Sequence, residues 1–183
     1  MRPSRLWTPL LVGHSLSGDP SPIRRFAMDD LLIALACMAP LAAYLLYTKG
    51  RGARKAQFAC VGLGLAFGFF AVGHFVVTPD LVNMLPPWIP QRPLLIYATG
   101  GLEALIAFGL FTEKWRKAAG IAAAVVLVLF FPANVYAALH HTGVGAHRLG
   151  PQYLWVRTLL QLFLLAWALW PVFRPDVRST AWR

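Results

Sequence analysis

Five apolar runs pace the chain, at about residues 31–47, 56–77, 93–112, 118–139 and 153–173, with polar stretches between them. An α-helix rises 1.5 Å per residue, so about 20 apolar residues cross the hydrocarbon of a bilayer. The last four runs meet that length. The first is shorter and contains Pro40; it spans with slight thinning of the bilayer or snorkelling at its ends. The connections are mostly short, which makes neighbouring helices antiparallel. The pattern predicts an all-α, polytopic transmembrane helical bundle: a four-helix core over 56–173, one extra N-terminal transmembrane helix over 28–48, and a tail over 174–183. The Pro-rich residues 1–27 show no period and are expected to be a disordered extension, with Met28 as the alternative start.

Composition agrees with the pattern. Hydrophobic residues make up 58% of the 183 and charged ones only 13%, against about 25% charged in soluble domains. The net charge of +10 suggests nucleic acid only until the charges are placed. They fall in short clusters between the apolar runs, as in the loops of membrane proteins, so no nucleic-acid partner is expected. Lys49, Arg51, Arg54, Lys55, Lys114, Arg116, Lys117, Arg174, Arg178 and Arg183 lie on one side, against Arg92 and Arg148 in the loops of the other. The positive-inside rule then puts the C-terminus in the cytoplasm of a multi-pass protein of the bacterial inner membrane. Five spans put the N-terminus outside. Cys37 and Cys60 sit in separate apolar runs and form no Cys-x-x-Cys pair, which argues against a dithiol redox centre and for two small buried thiols.

Against this background the polar residues inside the runs stand out. His74 lies about one turn from the outer surface, and Glu103 about 15 Å down, near mid-membrane. Asn134 is again in the outer half. Arg157 is about one turn deep, and Gln161 one turn further on the same helix face. None falls in the inner half. A lone charge at the bilayer centre costs about 2.5–3.5 kcal/mol on insertion scales, so these groups are expected to face the bundle interior and pair. The pairing expected is Glu103 with Arg157, with Gln161 and His74 nearby, in an outward-facing polar pocket lined also by Tyr97, Tyr136 and Trp155. The competing reading is a purely structural polar core that holds the helices together.

The segment "TPDLVNMLPPWIPQRP" (78–93) is stiffened by its prolines and reads as a lid over the outer mouth, with Pro79, Pro87 and Pro90 setting its course and Trp88 as an interfacial anchor. "GLGLAFG" (62–68) lacks the spacing of a nucleotide-binding loop, and its Gly64 and Gly68 suit close helix packing instead. His140, His141 and His147 share one outer loop. Without a cysteine, a nearby carboxylate or an i, i+4 pair they are weak metal ligands, and no metal is expected.

The stretches "FAVGHFVVTPD", "LPPWIP", "LLIYATGGLEALIAFGLF", "EKWRKAAGIAA", "FPANVYAALH" and "LWVRTLLQLFLLAWAL", in this order over about residues 66 to 170, resemble the DoxX-like family of small bacterial integral membrane proteins. The resemblance implies a compact four-helix transmembrane bundle with the 28–48 helix outside it. It carries over to His74, Pro79, Pro87, Pro90, Tyr97, Gly100, Glu103, Arg116, Asn134, Arg157 and Gln161. Family members are linked to membrane redox work, including delivery of electrons to quinone. What the resemblance implies here is a membrane subunit of a quinone-linked redox system, with quinone as the ligand, a redox partner protein and the lipid bilayer as partners. The pocket holds no cysteine, which sets aside covalent sulfur chemistry. The alternatives are an assembly or accessory membrane protein and a small-solute carrier; a homo-oligomer stays open.

Overall fold

The computed structural model describes residues 34–45, 55–143 and 150–173. The extension at 1–27, the ends of the 28–48 helix, the tail at 174–183 and His147 lie outside these residues. The described chain is all-helical: α1 (Ala34–Leu45), α2 (Lys55–Val76), α3 (Thr78–Val82), α4 (Arg92–Phe111), α5 (Arg116–Leu139) and α6 (Tyr153–Leu169), with a 3₁₀ turn at Pro171–Phe173 extending α6. The helices Lys55–Val76, Arg92–Phe111, Arg116–Leu139 and Tyr153–Phe173 have 22, 20, 24 and 21 residues and are apolar enough to cross a membrane, whereas Ala34–Leu45 is a shorter apolar helix.

Proline and arginine set several boundaries. Pro79 sits in the first turn of α3, where a missing N–H does no harm, and it biases Thr78 against continuing α2. Pro93 opens α4 in the same way, after Gln91 has turned the chain through a left-handed φ of 50°. At the other end of α4 the last carbonyls would go unpaired. Arg116, buried at the start of α5, folds back to supply donors: Nε to the Leu110 carbonyl at 3.3 Å and Nη2 to that of Phe111 at 3.4 Å. Its Nη1 also meets Glu113 at 3.4 Å.

Helix α2 packs most extensively on α4, and α5 on α6; α4 touches α5, and α6 returns to α2, closing the ring α2–α4–α5–α6. Glu103 on α4 and Arg157 on α6 therefore belong to helices that face each other diagonally. The half of the bundle near the α4–α5 turn is solid, filled by Leu63 and Phe67 of α2, Ile106 and Leu110 of α4, Ala123 and Leu127 of α5, and Leu164 and Ala168 of α6. Helix α1 joins through Cys37, and Tyr44 stacks on Phe58 at 4.4 Å between ring centroids. Its close approach depends on Gly62, because a Cβ there would lie 1.8 Å from the Cys37 carbonyl oxygen. Close packing in the "GLGLAFG" stretch thus centres on Gly62 and on Gly64, which faces the Phe111 ring; Gly68, expected to share that role, meets nothing within 4 Å.

Candidate functional site

In the other half of the bundle the four long helices enclose a cavity of about 760 Å³. Its wall is mostly apolar, from residues such as Phe70, Ile96, Val126, Leu127 and Phe130, and a few polar side chains converge on it. His74, Glu103, Asn134, Arg157 and Gln161, expected to share one pocket, all line this space.

The pairing within it differs from expectation. Nδ1 of His74 lies 2.9 Å from Oε2 of Glu103 and 3.0 Å from the Phe70 carbonyl oxygen one turn back on α2. A carbonyl only accepts, so Nδ1 carries a hydrogen. Its alignment favours Phe70, and Oε2 is buried without an aligned donor of its own. No nitrogen of Arg157 comes within the 4.0 Å of an ion pair with Glu103. Helix order explains the correction: α4 lies along α2, so the imidazole of α2 reaches the carboxylate and the guanidinium of α6 does not. Gly100 makes the approach close. It sits one turn before Glu103, and a Cβ on it would fall 2.6 Å from Cβ of His74.

The amides serve the backbone. Gln161 Nε2 donates across the bundle to the Leu127 carbonyl of α5, so it does not join Glu103 as expected. Asn134 Nδ2 donates to the Phe130 carbonyl at 3.2 Å within α5. Both bonds fall near Pro132, whose ring removes one backbone N–H from the helix and loosens the ladder there. Arg157 is the exception: its Nε is buried and has no hydrogen-bond partner.

Three aromatic residues expected in the pocket lie elsewhere. Tyr97 is 47% exposed and stacks on Phe75 at 5.8 Å, outside the cavity. Trp155 is 78% exposed on α6. Tyr136 stacks on His140 at 4.0 Å and borders a shallower depression with Asp80, Arg92 and His141. His140 and His141 follow the end of α5, with His140 Nδ1 2.9 Å from the Tyr136 carbonyl. Among the described residues no group of three potential metal ligands comes together.

The 78–93 segment covers the end of the cavity. Leu81, Met84, Leu85, Pro86, Trp88 and Ile89 line it, while Pro87 and Pro90 are exposed and Pro79 starts α3. Arg92 Nη1 ties the segment back to α4 through the Leu85 carbonyl at 3.4 Å. The side wall is incomplete. Phe69, Val72 and Val76 of α2 and Leu129 of α5 line the cavity and are also exposed on the outer, apolar surface of the bundle, so the space reaches that surface beside these residues. Sequence reading missed Thr99, which also lines the cavity; its place four residues before Glu103, on the same helix face, was the available signal.

A family model described as "Domain of unknown function (DUF8561)" matches residues 63–172, from within α2 to the 3₁₀ turn, and α1 lies outside it. No curated protein and no solved structure matches the chain.

Proposed function

The chain belongs to the DUF8561 family, and from the cavity formed by the matched residues we propose that it is an integral membrane subunit of a quinone-linked redox system. The observation that carries this reading is the combination in one space of about 760 Å³ of apolar walls, an opening to the outer apolar surface and a half-buried imidazole 2.9 Å from a buried carboxylate. An apolar cavity with a few convergent polar groups is the usual form of a small-molecule site. A lipid-soluble quinone fits its chemistry: one ring carbonyl accepts from Arg157, another accepts from Nε2 of His74 when the imidazole holds a second proton, and the isoprenoid tail passes beside Phe69, Val72, Val76 and Leu129 into lipid. Reducing a quinone takes up protons as well as electrons. His74 and Glu103 are the pair placed to hold and pass a proton beside the head. The redox partner protein supplies the electrons. The resemblance to DoxX-like proteins supports the redox assignment, and the distribution of Lys and Arg supports a C-terminus in the cytoplasm of a bacterial inner-membrane protein with the cavity facing outward.

Two other readings fit less well. A carrier needs a path through the far half of the bundle, where Leu63, Phe67, Leu110 and Leu164 are fully buried against one another. A polar core serving only to hold helices together is expected to be filled and mutually paired, whereas this one surrounds open space and contains an unpaired guanidinium nitrogen. The test is titration of the purified protein with a ubiquinone analogue. Wild type is expected to bind it and Glu103→Gln to bind it more weakly; equal affinities contradict the proposal.

A further inference from the structure

Two polar atoms around the cavity lack an aligned partner, Oε2 of Glu103 and Nε of Arg157. Its titratable and charged side chains are His74, Glu103, Tyr153 and Arg157. The one carboxylate already faces an imidazole, at 2.9 Å. Among the described residues no carboxylate comes within ion-pair distance of Arg157, and its Nε is buried without a hydrogen-bond partner. The neighbouring Gln161 turns its amide nitrogen to the Leu127 carbonyl, and a neutral amide brings the guanidinium no compensating charge.

A guanidinium stays charged at every accessible pH and presents a planar fork of N–H donors suited to two adjacent oxygens that share a negative charge. Inside a membrane such a group sits against a cavity and finds its partner there. We infer that the cavity's ligand carries an acidic oxygen on its head, held by Arg157, so that the preferred quinone is one with an ionisable ring hydroxyl. In such a ring the deprotonated oxygen lies beside a carbonyl, and the two accept the fork together. The apolar tail takes the opening edged by Phe69, Val72, Val76 and Leu129. This rests on the reading of the cavity as a quinone site and narrows the class of quinone.

Three probes with the same alkyl tail separate the possibilities: a neutral 1,4-naphthoquinone, its 2-hydroxy derivative and a simple alkyl carboxylate. Each is titrated into the full-length protein in nanodiscs of uncharged lipid at neutral pH. The hydroxyquinone is expected to bind at least about tenfold tighter than the neutral quinone, and Arg157→Gln to shrink that gap to about twofold or less. Glu103→Gln is expected to weaken both quinones alike and preserve the gap. Should Arg157→Gln not purify, Arg157→Lys keeps the charge without the fork and is expected to narrow the gap. Equal wild-type affinities for the two quinones, or a gap unchanged by either Arg157 substitution, overturn the inference and spare the quinone reading. Tight binding of the carboxylate alone upholds the acidic head and overturns the quinone. No binding of any probe overturns both.

Discussion

Gly100 and Gly101 are neighbours on α4, and the structure predicts opposite outcomes for the same substitution at each. An alanine Cβ at Gly100 would stand 2.6 Å from Cβ of His74, where ordinary contact begins at 3.4 Å. The obstructing atom is the first of its side chain and cannot rotate away, so α2 and α4 must part by about 0.8 Å. Overpacking of this kind costs about 1–3 kcal/mol. Alanine's better helix propensity, up to about 1 kcal/mol, offsets only part of it. At Gly101 nothing lies within 4 Å of the added Cβ, so only the propensity gain applies. Gly100→Ala is therefore expected to lower stability by up to about 2 kcal/mol and Gly101→Ala to leave it unchanged or raise it. The same 0.8 Å or so would take His74 from 2.9 Å to beyond hydrogen-bond reach of Glu103, so ligand binding is expected to fall with Gly100→Ala alone. Reversible unfolding of both variants in mixed micelles, followed by circular dichroism, checks the sign. Equal stability of the two variants would refute the close α2–α4 contact from which the His74–Glu103 pair is built.

Two further substitutions probe the frame around the site. Arg116→Met removes the donors to the Leu110 and Phe111 carbonyls and is expected to destabilise the bundle by about 1–2 kcal/mol in the same unfolding assay. Gly62→Leu cannot coexist with the Cys37 carbonyl 1.8 Å from its Cβ; it is expected to displace α1 and make the fully buried Cys37 react with a membrane-permeant maleimide, where the wild-type thiol does not.

The four long helices were legible because a bilayer crossing calls for a certain length, and runs of about 20 apolar residues register it directly; the first run, with Pro40, appears as the shorter helix Ala34–Leu45 over its described residues. The membership of the cavity was legible for a related reason: polar groups in hydrocarbon turn inward, so His74, Glu103, Asn134, Arg157 and Gln161 could be gathered by depth alone. What depth cannot supply is direction around the helix. In a membrane bundle the lipid-facing and core-facing surfaces are both apolar, so the stripe that orients a soluble helix is faint. Tyr97 and Trp155 have the right depth but point outward. Helix order around the bundle was equally hidden. Placing α2 beside α4 and α6 across from it decides that Glu103 meets His74 and not Arg157. Gly100 was the local clue, since a glycine one turn before a buried carboxylate marks a face that another helix can approach.

Whether the cavity holds a lipid-soluble ligand can be tested directly at Gly73. It lines the cavity, and a Cβ on it meets nothing within 4 Å, so Gly73→Phe projects a ring into the open space and leaves every polar group of the site in place. The measurement is mass spectrometry of lipophiles extracted from wild type and from this variant after identical purification from native membranes. A quinone near one equivalent per chain is expected in wild type, and its loss from a Gly73→Phe protein that still unfolds cooperatively. A wild-type protein free of quinone, or a variant that retains it in equal amount, contradicts a quinone site in this cavity.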